Sequence, residues 1–395
     1  MDTLYLLSNK KLRSVPTDFR RYLSFFVHTD ERLIGILGAR GTGKTVLLLQ
    51  LMKDKLPREE SLYMSLDDIY FLKHGLTDTA VSFIQKGGKC LFLDEVNKYP
   101  TWWQEIKNLY DNYPELSIVF TGSSVIEISR TAGDISRRAA IYHLYPLSFR
   151  EYLEMEHIYT VKPFSLKEIT QKHTHLAEEI SAYIKPLRYF GDYLKFGSYP
   201  FFREGKISYF EKLKQTVNVT LENDIPTVQR IDYNSVIKLK KLLSLLTETV
   251  PYKPNISELA AKVEVQRQSL YKYLDLMAKA GLLGLLPAKL KGITALNKPE
   301  KIYPGSTSLM YALSDGVPDI GTLRETFFFN QLTQHYKISG HATADFTVEN
   351  NAFEIGGKNK KTMQIKGIKN SWIVSDNIEV GFERRIPLWL FGFLY

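Results

Sequence analysis

Eight residues near the start of the chain restrict its fold more than any other feature. Gly38, four intervening residues and then Gly43, Lys44 and Thr45 spell the pattern G-x-x-x-x-G-K-[ST]. A polyphosphate must be met by several inward-pointing backbone N–H groups at once, and glycine lets the backbone come that close because it has no Cβ. The pattern therefore predicts a loop in which Gly38, Ala39, Arg40, Gly41, Thr42 and Gly43 wrap a nucleotide's phosphates. Lys44 would reach the β- and γ-phosphates, and the Thr45 hydroxyl would ligate Mg²⁺ at the positive end of the following helix. The flanks agree. Residues 17–32 look like a short helix leading into a buried strand at Leu33, Ile34, Ile36 and Leu37, and residues 46–51 read as a helix.

A second signature follows one αβα segment later. Cys90-Leu91-Phe92-Leu93 is an apolar strand that ends in Asp94-Glu95. A carboxylate at the carboxyl end of a buried parallel strand lies beside the phosphate loop, so Asp94 is the second candidate for Mg²⁺. Glu95 is placed to polarise the attacking water. Trp102, Trp103, Ile106, Leu109 and Tyr110 recur at helical spacing, and their aromatic face is expected in the core. Residues 116–120 read as another buried strand, running into Thr121-Gly122-Ser123-Ser124. Thr121 and Ser123 there are candidates to sense a γ-phosphate, although Ser123 or Ser124 serves equally as a helix N-cap. Arg137 and Arg138 are candidates to stabilise charge on a phosphate in the transition state, the alternative being a surface pair.

Composition narrows the class. A chain of 395 residues with 44% hydrophobic and 24% charged residues is expected to be globular, with two to four domains. No apolar run approaches the ~20 residues that span a bilayer, so no membrane partner is expected. The first sixteen residues lack the order of a signal peptide. The single cysteine, Cys90, rules out an internal disulfide, and a reducing cytoplasm fits. Lys and Arg exceed Asp and Glu by 52 − 43 = 9, which favours an anionic partner.

Downstream, residues 151–234 are helical in pattern. Between 256 and 286 the spacing predicts two short helices around a turn at Glu264-Val265, then a strand, with a wing expected at 289–292. Arg267, Gln268, Tyr271 and Lys272 would lie on the exposed face of the second helix and are candidates for DNA contact. Such modules also serve purely as packing units, and Asp275 on that face opposes a strong grip. Further on, Glu325 falls on an expected helix, and Asp345 and Glu354 on two strands of a hairpin. Acids so placed, with a lysine near the last of them, match a metal-dependent nuclease. The expected lysine two residues after Glu354 is absent, and the nearest is Lys358. Lys358, Lys360, Lys361, Lys366 and Lys369 form a run without acids, either a solvated loop or a track for a phosphate backbone. Residues 372–374 and 386–395 read as closing apolar strands.

Taken in order, GARGTGKTVLLLQ, LFLDEVNKYPTWWQEIKNLYD, IVFTGSS, DISRRA and YPLSFREYL resemble a prokaryotic family of AAA-type P-loop ATPases. Its members carry a C-terminal domain of unknown function that resembles PD-(D/E)xK nucleases. The resemblance implies an α/β fold: a parallel sheet of the additional-strand type, with the strand ending at Thr121 lying between the loop strand and the acidic strand. It also implies a helical lid over the nucleotide and favours Arg137 or Arg138 as an arginine finger. The expected division is a P-loop domain over 1–150, a lid over 151–234, a winged helix over 235–310 and a nuclease-like domain, expected to be inactive, over 311–395. The expected activity is Mg²⁺-dependent ATP hydrolysis, with DNA and further copies of the chain as candidate partners.

Overall fold

The computed structural model describes residues 1–28, 30–55, 60–122, 135, 137–226, 231–248, 254–287, 298–314 and 316–395. The expectations placed on Ser123 and on the wing at 289–292 lie outside these residues. The chain divides into two compact units, Met1–Tyr145 and Pro146–Tyr395.

In the first unit, helix α1 (Asp2–Ser14) is followed by strand β1 (Leu33–Leu37), helix α2 (Lys44–Lys55), β2 (Ser61–Ser65) and α3 (Leu76–Gln85). Then come β3 (Cys90–Asp94), α4 (Trp102–Asn112), β4 (Ser117–Gly122) and β5 (Ala140–His143). The five strands form one sheet in the order β2-β3-β4-β1-β5, every pair parallel. Strand β4 does lie between β1 and β3. All five residues of β1 and of β3 are buried, the continuous apolar pattern of a strand covered on both faces. Trp102, Ile106 and Leu109 of α4 are wholly buried in this core, and Trp103 packs against it.

Two segments differ from expectation. Helix α1 was not foreseen, yet Leu4, Ser8 and Leu12 recur every four residues and are its buried stripe. Among the described residues of 17–32 there is a single 3₁₀ turn, Tyr22–Phe25, in place of the expected helix, and both Phe25 and Phe26 are exposed.

The second unit opens with helices α5 (Phe149–Met155), α6 (Leu166–Tyr183), α7 (Pro186–Phe196), α8 (Tyr209–Val219) and α9 (Tyr233–Glu248). Both α5 and α6 begin with a complete capping box, Ser148 with Glu151 and Ser165 with Glu168. Next, α10 (Ile256–Val263) and α11 (Arg267–Lys279) are joined through Glu264, which adopts left-handed φ of 59°. Leu270, Tyr273, Leu274 and Met277 are buried on the inner face of α11, as its spacing predicts. An antiparallel pair follows, β6 (Leu283–Pro287) and β7 (Pro299–Pro304), then α12 (Thr307–Leu313) and α13 (Ile320–Leu332).

The last sheet contains β8 (Ile338–Gly340), β9 (Phe346–Val348), β10 (Asn351–Gly356), β11 (Ser371–Ser375) and β12 (Arg385–Pro387). Its order is β12-β11-β10-β9-β8, antiparallel across β8, β9 and β10 and parallel from β10 to β12. The expected closing strand over 386–395 is a correction. Only Arg385–Pro387 pairs, and Leu388–Phe393 coils into 3₁₀ turns. Coiling turns Leu388, Trp389, Leu390, Phe391 and Phe393 all inward, where an extended strand would send alternate side chains outward. Phe393 meets Phe149 of α5 edge-on at 5.8 Å.

Candidate functional site

In the first unit, β1 delivers the chain into the loop at Gly38. A Cβ on Gly38 would stand 2.3 Å from the carbonyl oxygen of Leu144, which no side chain tolerates. Gly43 turns the chain into α2 with φ of 94°, in the region that favours glycine. The loop is pinned from inside and outside. Lys44 Nζ donates to the carbonyl oxygens of Gly38 and Ala39 at 3.0 and 2.9 Å, which puts the ammonium at the centre of the loop. Thr42 Oγ1 donates to Ala39 O at 2.9 Å. From outside, the buried guanidinium of Arg21 donates to Thr42 O at 2.5 Å and to Tyr145 O at 2.7 Å.

Asp94, at the end of β3, is buried beside the start of α2. Its Oδ2 accepts from Thr45 Oγ1 at 2.7 Å and from Tyr63 OH at 2.9 Å, and its Oδ1 accepts from Thr121 Oγ1. Thr121, on β4, also accepts from the backbone N–H of Glu95 at 3.1 Å. The sequence pattern did not single out Tyr63. It projects from β2, next to β3, and only the sheet register places its hydroxyl on Asp94. Burial first, and then the Asp94 charge, push the Tyr63 phenol well above its ordinary value, so it stays a hydrogen-bond donor.

Glu95 has left-handed φ of 53°, an uncommon conformation for a side chain other than Asn or Asp. Among the described residues its buried Oε2 has no hydrogen-bond partner. A cavity of 390 Å³ opens at this point, lined by Thr45, Tyr63, Asp94 and Glu95 and by Leu7 and Lys11 of α1. The donor set suits a small hard cation. One hydroxyl and one carboxylate, both oxygen ligands on rigid elements, already touch each other, and a carboxylate oxygen of Glu95 without a partner among the described residues lies beside them.

Of the two arginines singled out, Arg138 donates to Asp111 from Nε at 2.8 Å and from Nη2 at 3.1 Å. Arg137 is exposed. Burial pushes the Cys90 thiol up to about 12, so this cysteine is an inert core residue.

In the second unit, Arg267, Gln268 and Lys272 are exposed on α11 and Tyr271 is half-buried. Arg267 donates to Ser257 Oγ, and Asp275 pairs with Lys279 at 2.9 Å. Glu325, Asp345 and Glu354 do come together. Lys301 Nζ lies 2.7 Å from Glu325 Oε2 and 3.2 Å from Asp345 Oδ1. The lysine that reaches Glu354 is Lys360, at 2.5 Å, while Lys358 is exposed and its carbonyl oxygen accepts from Arg385.

The sheet order, the loop and the Asp94–Glu95 strand end give the first unit the α/β fold of a P-loop NTPase. Comparison with known proteins agrees: residues 30–153 match the family model described as AAA domain. Residues 187–319 match a second model, described only as a domain of unknown function (DUF8612). An uncharacterized protein of Methanocaldococcus jannaschii, MJ1637, is 26% identical over 397 aligned positions, covering 91% of this chain and 83% of that protein.

Three solved structures are also similar. PCH-2 of C. elegans is 16% identical, with 39% of this chain and 43% of that one covered and a TM-score of 0.26. AMPPCP-bound DnaA from Aquifex aeolicus is 13% identical, with 70% and 88% covered and a TM-score of 0.27. Hsp104 with ATPγS and casein, in its closed state, is 16% identical, with 73% and 50% covered and a TM-score of 0.27. Among the described residues no helix is long and apolar enough to cross a membrane.

Proposed function

We propose that the first unit binds ATP with Mg²⁺ and hydrolyses it. The observation that carries the proposal is the meeting of Thr45 and Asp94 at 2.7 Å beside Glu95, whose buried Oε2 has no hydrogen-bond partner among the described residues. The AAA-domain match over the same residues supports it. The loop amides and the Lys44 ammonium would hold the β- and γ-phosphates, and Thr45 and Asp94 would hold the metal. When bound, Mg²⁺ supplies positive charge to the phosphate oxygens as negative charge builds on them. Glu95 would orient a water and take its proton as the oxygen bonds to the γ-phosphorus and the bond to ADP breaks. Thr121, bonded to both Asp94 and the Glu95 N–H, would keep the two acids in register. Arg137, exposed, is the better placed of the two arginines to reach a phosphate on another copy of the chain. The cycle would drive a conformational change of the second unit.

Steady-state phosphate release tests this. Glu95→Gln should retain nucleotide binding and lose turnover by ~10²–10⁴-fold. Lys44→Ala should lose binding as well. Turnover equal to the parent in both variants overturns the assignment.

DNA contact through α11 is the second reading. It is favoured by the exposure of Arg267, Gln268 and Lys272 on one helix followed by the β6–β7 pair. A gel shift that weakens steeply with salt and responds to ATP would support it, and no shift at low salt would end it.

A further inference from the structure

The three acids of the second unit lie close together, and at least one oxygen of each is already engaged. Glu325 Oε2, on α13, accepts from Lys301 Nζ at 2.7 Å and from Tyr303 OH at 2.7 Å. Asp345, just before β9, accepts from Lys301 on Oδ1 at 3.2 Å and from the Ile355 N–H on Oδ2 at 2.9 Å. Glu354, on β10, takes Lys360 on Oε1 at 2.5 Å. Lys301 and Tyr303 both come from β7, one residue apart on either side of Ile302 and far from the acids in sequence. The Lys301 side chain is 9% exposed, so its ammonium sits inside the cluster and not at its rim.

A divalent ion held by carboxylates lies about 2.0–2.6 Å from each oxygen and needs several of them at once. The space between Glu325 and Asp345 that such an ion would use is filled by the ammonium nitrogen. Bringing a second cation to the same two oxygens would either set like charges side by side or expel a buried lysine. The residues therefore do not fit a metal. Among the described residues no group of three or more His, Cys, Asp or Glu is placed to hold one.

We infer that Lys301 serves as the built-in cation of this cluster, its ammonium standing between Glu325 and Asp345 where a divalent ion would otherwise bind. The cluster is then a metal-free ionic network that fastens β7 to α13 and the sheet, and it cuts no phosphodiester. Its charges agree with that role. Burial alone would lower the Lys301 value, but Glu325 and then Asp345 outweigh it and keep the amine protonated.

The test is Mn²⁺ titration of the full-length protein by calorimetry, in the parent, in Asp345→Asn, in Lys301→Ala and in the volume-preserving Lys301→Gln. The P-loop is unchanged in all four and cancels in the comparison. The parent and Asp345→Asn should take up equal Mn²⁺, and plasmid incubated with the parent and Mn²⁺ should stay intact. Lys301→Ala or Lys301→Gln should gain about one further ion per chain, with a rise in unfolding temperature on adding Mn²⁺. Mn²⁺ uptake or plasmid cleavage by the parent that Asp345→Asn abolishes overturns the inference, and that arm stands even if neither lysine variant folds. Folded lysine variants that gain no ion overturn it too, because the acids would then form no cation site at all.

Discussion

Each unit buries a cluster of carboxylates, and the two differ in what answers the negative charge. In the first, Asp94 accepts from three hydroxyls, those of Thr45, Tyr63 and Thr121, while the Lys44 ammonium is bonded to loop carbonyls. In the second, two ammonium groups sit directly on the acids. Hydroxyls orient a carboxylate without cancelling it, so the first cluster keeps a charge that an incoming cation can satisfy. Ammonium groups offset most of it within the chain. Acids at strand ends therefore do not by themselves make a metal site; the charge of their neighbours decides.

The largest effect expected from this contrast is on folding of the second unit. Lys301→Met removes one partner from a buried ionic network and should cost about 3–5 kcal/mol in denaturant unfolding, because it leaves Glu325 and Asp345 facing each other. A cost near that of a surface lysine would break the comparison.

Next is a pH signature. Burial, and beyond it the other nearby acids, raise the Glu325 and Glu354 carboxyls above their ordinary value of 4.5. The folded state then holds these protons more tightly than the unfolded chain. Their contribution to stability is full below pH 4.5 and is lost as pH rises through the raised values. Glu354→Gln should flatten that fall, measured as unfolding temperature from pH 4.5 to 7, and an unchanged slope would count against it.

The smallest effect should be that of Tyr63→Phe, which removes one neutral donor from Asp94. A loss of about 1 kcal/mol is expected in the same denaturant experiment. A loss as large as that of Lys301→Met would erase the distinction between the two clusters.

How much of this was legible in the sequence follows from distance along the chain. The loop, Asp94 and Glu95 were plain because a strand, a turn and a helix start carry their chemistry within a few neighbouring residues. The position of β4 between β1 and β3 came from family resemblance, since spacing cannot order a sheet. Tyr63 and Lys301 went unnoticed. Lys301 lies 24 and 44 residues from the acids it serves, and no local pattern marks such a lysine. Lys360 is brought to Glu354 by the turn after β10. Its N–H bonds back to Gly357 O at 3.0 Å, and its side chain crosses the space a Cβ on Gly356 would need, 2.6 Å from Lys360 Cδ. Two glycines in a row thus bring back the residue four positions beyond the first, not Lys358.

Arg21 holds Thr42 with one nitrogen and Tyr145 with the other, and the two are tines of a single rigid plane. A shift of the loop larger than these hydrogen bonds can stretch would pull on Tyr145 or break one of the two links. Tyr145 is the final residue before the polypeptide leaves for the second unit. The phosphate cradle and that exit point therefore share one guanidinium as their common anchor.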